Sequence, residues 1–83
     1  MDNDCLPTII GALPVVLYAR LSGVEYVPWG LAVCRDDSGY FLFRCGDDFL
    51  PEHDTWHQTL DEARGQAEFE FPNEVIEWRE PTQ

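Results

Sequence analysis

Apolar and polar positions follow two rhythms along the chain. The first half shows short runs of β-branched and aromatic residues broken by turn formers, and a later segment steps at the spacing of a helix. Residues 15–21, Val-Val-Leu-Tyr-Ala-Arg-Leu, predict a first strand that Ser22-Gly23 breaks. Residues 24–28 extend a hairpin arm that Pro28 ends or carries at a sheet edge. Residues 29–35 and 40–45 predict the second and third strands. Between them Asp36-Asp37-Ser38-Gly39 is a turn, because Asp and Ser bond their own backbone and Gly accepts a positive φ.

That turn fixes a register. Arg35 falls opposite Tyr40, Val33 opposite Leu42 and Leu31 opposite Arg44. One face of the hairpin then carries Trp29, Leu31, Val33, Arg35, Tyr40, Leu42 and Arg44. The other carries Gly30, Ala32, Cys34, Phe41, Phe43 and Cys45. Residues 46–57 read as a long loop, and long ordered loops in compact domains are often contact regions.

The helical rhythm begins at Thr59-Leu60-Asp61-Glu62, a capping box with acids suited to the positive end of a helix dipole. Leu60, Ala63, Ala67 and Phe71 form one stripe, with Phe69 off it, and Pro72-Asn73 ends the segment. Residues 74–79 predict a last strand with Ile76 and Trp78 on one side. Residues 1–8 read as an irregular lead and 81–83 as a tail. The expected fold is α+β: a small antiparallel sheet in the order βββαβ, with one helix packed on one face, in a single domain spanning 1–83. Small Ala63 and Ala67 allow close approach to Phe41 and Phe43, which assigns the helix to that face. The face with Trp29, Leu31, Val33, Tyr40 and Leu42 is then either covered by residues 5–14 or left as an apolar interface for a partner or a second copy.

Composition narrows the function. The chain is 83 residues long, and a hydrophobic share of 45% with 13% aromatics excludes a disordered chain. The formal net charge of -11 argues against direct binding to nucleic acid or to anionic membranes. The chain has no lysine; its five cations are arginines. The longest apolar run, 9–19, is interrupted by Gly11 and Pro14 and falls short of the roughly 20 residues a membrane span needs. An acidic start in place of a basic leader adds the expectation of a cytoplasmic protein. The three cysteines, Cys5, Cys34 and Cys45, lack CxxC spacing and read as reduced thiols, the last two as buried hydrophobes.

The acids are unevenly placed. Residues 1–46 hold five acids and three arginines, whereas 47–83 hold eleven acids and two arginines, so the net charges are -2 and -9. A concentrated negative surface attracts a basic partner and speeds its association.

Catalytic chemistry finds little support. Glu52-His53-Asp54-Thr55-Trp56-His57 is the one cluster resembling a metal site, with His53 and His57 joined by Asp54 or Asp47. Two imidazoles fall short of the three or four convergent ligands zinc needs. Trp56 reads instead as a core anchor, His57 as a partner near the helix start and His53 as solvent-exposed. No Gly-x-Ser-x-Gly, no Gly-rich phosphate loop and no complete calcium loop is present. No catalytic residue, metal or cofactor is expected, and the chain reads as a binding protein.

The strand Tyr40-Phe41-Leu42-Phe43, the run Asp54-Thr55-Trp56-His57, the segment 59–71 and Trp78 together resemble a pattern in uncharacterised small bacterial proteins, some of them similar to immunity proteins that neutralise secreted toxins. A looser likeness is to the sheet domain of HicB-type antitoxins, where a hairpin precedes a threonine-capped helix. This chain departs from that family in having no apparent DNA-binding segment after the last predicted strand. The resemblance implies a non-catalytic, acidic protein-binding module that neutralises a basic partner, a toxin or nuclease. The contact residues expected are Asp47, Asp48, Glu52, Asp54, Asp61 and Glu62, with Trp29, Tyr40 and Leu42 as an apolar anchor. The alternative is a phage-type inhibitor that mimics nucleic acid in the groove of a host defence nuclease.

Overall fold

The computed structural model describes residues 8–21, 30–46 and 49–81. They form an α+β unit: five antiparallel strands in the spatial order β1-β2-β3-β4-β5, followed by one helix. The strands are β1 (Ile9–Ile10), β2 (Leu13–Arg20), β3 (Gly30–Arg35), β4 (Tyr40–Cys45) and β5 (Pro51–His57), and the helix is α1 (Leu60–Glu70). The order is therefore βββββα and not βββαβ.

The central hairpin has the register expected from its turn: Arg35 pairs with Tyr40, Val33 with Leu42 and Leu31 with Arg44. Asp36 Oδ1 closes the turn by accepting from the Ser38 and Gly39 N–H groups, both at 2.8 Å. The Ser38 bond is the main cause that holds the Asp36 carboxyl below its usual range.

Two strands arise where none was expected. Gly11 and Ala12 both take positive φ, 57° and 70°, which makes a tight two-residue link from β1 to β2. The expected loop 46–57 contains β5, which pairs with β4 from Tyr40–His57 to Arg44–His53. Its sequence lacks apolar alternation because it is an edge strand, with most of its side chains in water. Pro51 is tolerated as its first residue. Conversely, 74–79 is not a sheet strand. It makes a single bridge, Tyr18 to Arg79, whose N–H groups donate to each other's carbonyls at 2.9 and 2.8 Å. Ile76 and Trp78 pack inward together, as their alternation implied.

The helix lies on the face opposite to the expected one. Its buried Ala63 and Ala67 pack with Leu31, Val33 and Leu42, while Leu60 and Phe71 flank them. Thr59 caps α1 by accepting from the Glu62 N–H at 3.1 Å, and Glu62 reaches back to the Gln58 N–H at 3.1 Å. The face carrying Cys34, Phe43 and Cys45 is closed by Ile10, Val15, Tyr18 and Phe49. Phe49 has φ 57°, a strained value for a bulky residue, and its buried ring meets Tyr18 edge-on at 5.7 Å. A Cβ on Gly30 would come within 2.8 Å of that ring, so the glycine makes room for the plug.

The apolar interface expected at Trp29, Leu31, Val33, Tyr40 and Leu42 is thus corrected. Leu31, Val33 and Leu42 are fully buried beneath α1 and are closed to a partner. Trp29 and residues 5–7 lie outside the described residues, as do 22–28.

Candidate docking surface

Strand alternation divides the side chains of β5 between the two faces of the sheet. Thr55 and His57 pair with Leu42 and Tyr40 on the helix face, whereas Asp54 and Trp56 pair with Phe43 and Phe41 on the other. Glu52 occupies the irregularity where the register shifts between Arg44 and Cys45. Its carboxylate reaches over Gly46, where a Cβ would meet Oε2 at 2.4 Å.

On the helix face a partly buried polar network links α1 to the sheet. Arg44 is 9% exposed and donates through Nε to Glu70 Oε1 at 2.9 Å, with a second bond from Nη2 to Oε2. Its Nη1 donates to the Leu42 carbonyl at 3.2 Å and to Thr55 Oγ1 at 3.1 Å. Thr55 Oγ1 lies 2.8 Å from His57 Nε2, and Gln66 Nε2 donates to Glu70 at 2.6 Å. Glu70 stands in the last helical turn, where a carboxylate opposes the helix dipole and no basic helix residue offsets it. Arg44 supplies the missing cation from the sheet. Burial pushes the Glu70 carboxyl up, but the bonds from Arg44 and Gln66 and the charges of Arg44 and His57 outweigh it and hold the group below its usual value. These residues are structural partners of one another and are largely withdrawn from a docking surface.

Four of the expected contact acids are exposed: Glu52 and Asp54 on β5, and Asp61 and Glu62 in the first turn of α1. They do not form one plate. Asp54 belongs to the face away from the helix, and Glu62 lies at the far end of β5, bonded to Gln58. Tyr40 is half-buried and Leu42 fully buried. Asp47 and Asp48 lie outside the described residues.

Trp56, which sequence reasoning placed in the core, stands at the surface. It is 45% exposed. One side of its ring lies over Gly39, where an added Cβ would come within 2.7 Å of it. Its pairing with Phe41 on an edge strand was the signal that would have placed it outside, and that signal was hidden by reading the segment as loop.

The two described thiols are shielded from solvent. Cys34 and Cys45 are buried, free and pushed up to about 12, chiefly by burial. Such thiols stay protonated and unreactive. Among the described residues no group of three or more His, Cys, Asp or Glu side chains converges to hold a metal ion, and His53 and His57 are not brought together with Asp54. The described helix is not long and apolar enough to cross a membrane.

Compared with known protein families, characterised proteins and solved structures, the chain matches none. Its function is therefore argued from the surface itself.

Proposed function

We propose that the chain is a non-catalytic acidic binding module, an immunity- or antitoxin-like protein that neutralises a basic protein partner in the cytoplasm. The observation that carries this reading is the uneven neutralisation of its acids. Glu70 is met by Arg44, and Glu77 faces Arg79 at 3.6 Å in a solvent-exposed pair of little worth. Glu52, Asp54, Asp61 and Glu62 are exposed, and no arginine appears opposite them among the ion pairs of the described residues. Uncompensated charge of one sign costs stability through self-repulsion, and a basic partner relieves it. The exposed carboxylates divide between two sides of β5 and do not follow one phosphate-like track. That division favours a basic protein over the groove of a nuclease as the occupant.

The test is the salt dependence of partner binding. A partner captured from the source cell should bind more weakly as salt rises from about 50 to 300 mM, because screening shortens the reach of surface charge. The combined variant Asp47→Asn, Asp48→Asn, Asp54→Asn should bind it more weakly and flatten that dependence. Unchanged affinity in the variant overturns the reading.

A further inference from the structure

The sheet has two outer edges, and they are treated differently. The outer edge of β2 is occupied by β1 at Pro14 and Leu13, by the Thr8 carbonyl at Val15 and by Arg79 at Tyr18. Among the described residues, no strand lies beside the outer edge of β5. In the β3–β4 turn the Asp36 N–H donates to the Gly39 carbonyl at 3.0 Å, which sets the phase of the antiparallel ladders. Alternation then turns the main-chain groups of His53, Thr55 and His57 toward β4, and those of Asp54 and Trp56 toward the open edge.

An open edge is a template for another strand, and proteins usually blunt it with lysine, proline or a bulge. Here Pro51 and the irregularity at Glu52 blunt its beginning, and 53–57 remains regular. β5 carries no lysine or arginine, and on the face it shares with Trp56 the charged guard is the Asp54 carboxylate. A guard of one sign is selective. A second copy pairing antiparallel about the middle of β5 sets Asp54 against Asp54, and like charges directly opposite are destabilising. A basic strand meets the opposite condition.

We propose that the edge of β5 at 53–57 takes up an extended basic segment of the partner as an added strand. This rests on the acidic-module reading above and names its docking element. Asp54 and Trp56 are two residues apart on one face, so the incoming segment carries arginine or lysine at alternate positions. One cation lies beside the Asp54 carboxylate, and the next lies over the exposed face of the Trp56 ring, an arrangement cations favour. Main-chain bonds then supply affinity and the alternating side chains supply selectivity.

The probe is a short acetylated peptide in which arginine alternates with valine, set against a peptide of the same charge interrupted by proline. On the full chain, the alternating peptide should slow amide exchange at Asp54 and Trp56. It should also bind about tenfold more tightly than its proline counterpart, the equivalent of one or two net hydrogen bonds. Asp54→Pro removes the outward donor without breaking the β4 ladder, and should weaken binding about tenfold beyond the charge-only control Asp54→Asn. Equal affinity for the two peptides, or unprotected β5 amides in the wild-type complex, overturns the edge proposal even if the proline variant does not fold. Salt-sensitive binding without β5 protection leaves the acidic module standing and removes only the edge. Binding that is absent or indifferent to salt removes both. A dimer that protects the same amides without peptide names a second copy as the occupant and also overturns the proposal.

Discussion

On one face of the sheet a capped helix lays Ala63 and Ala67 over Leu31, Val33 and Leu42. On the other, a phenylalanine in a left-handed turn, a two-residue strand and the ring of Tyr18 close over Cys34 and Cys45. The first cover is regular and satisfies its own backbone; Ala63 and Ala67, the flanking Leu60 and Phe71 and the Arg44–Glu70 pair hold it down. The second is assembled from irregular pieces, and each must be fixed by burial against local strain. Phe49 shows the trade most clearly: positive φ is unfavourable for its backbone, and the apolar area its ring removes from water outweighs that cost. The comparison teaches that a small sheet does not need two helices to bury both sides, provided single large residues are placed as plugs.

The sharpest way to break this contrast is Phe49→Ala. Removing a buried phenylalanine costs about 3–5 kcal/mol, measured by chemical denaturation. Cys34 and Cys45 should then react with thiol reagents while α1 keeps its far-ultraviolet signal. Thiols that stay shielded would show that the plug does not seal that face. Arg44→Ala attacks the helix face. It strands a half-buried Glu70 at the negative end of α1, and an acceptor left without its partner costs about 1–3 kcal/mol. The same pair gives the helix face an acid dependence. Because the folded Glu70 carboxyl is held below its unfolded value, its contribution is present in full above the unfolded glutamate pKa of about 4.3. It is lost as pH falls through the lower folded value, and Glu70→Gln should remove that part of the acid transition. The smallest effect belongs to the irregular side. Ala12 has φ 70°, so Ala12→Gly should raise stability by up to about 1 kcal/mol, the strain of a left-handed residue less the extra freedom of glycine when unfolded.

The regular half of this comparison was written plainly in the chain. The capping box at Thr59, the stripe of Leu60, Ala63, Ala67 and Phe71, and the turn at Asp36 each act through neighbours a few residues away, so sequence spacing suffices to find them. The choice of face was less plain, since both sides of the hairpin offered large apolar residues to small helical ones. Arg44 held the deciding information. A cation set in an apolar face calls for an anion from whatever covers it, and α1 supplies Glu70. Strand β5 was missed because an edge strand with wet side chains has no hydrophobic period, and the plug at Phe49 because left-handed phenylalanine has no sequence signature. Of the proposed contact surface, the exposed acids Glu52, Asp54, Asp61 and Glu62 were legible from charge alone. Leu42 and Trp56 were misplaced because their exposure depends on what lies above them, and Tyr40 is half-buried.

The pairing of Tyr18 with Arg79 has a kinetic consequence. Every other strand contact joins neighbours in chain order, so the sheet grows as successive hairpins of low contact order. Among the described residues this bridge joins the second strand to the segment beyond the helix, and its loop-closure entropy is small once the intervening hairpins have shortened the path. Closure of this latch is expected to follow the hairpins in folding, fastening the segment after α1 to a sheet that has already formed.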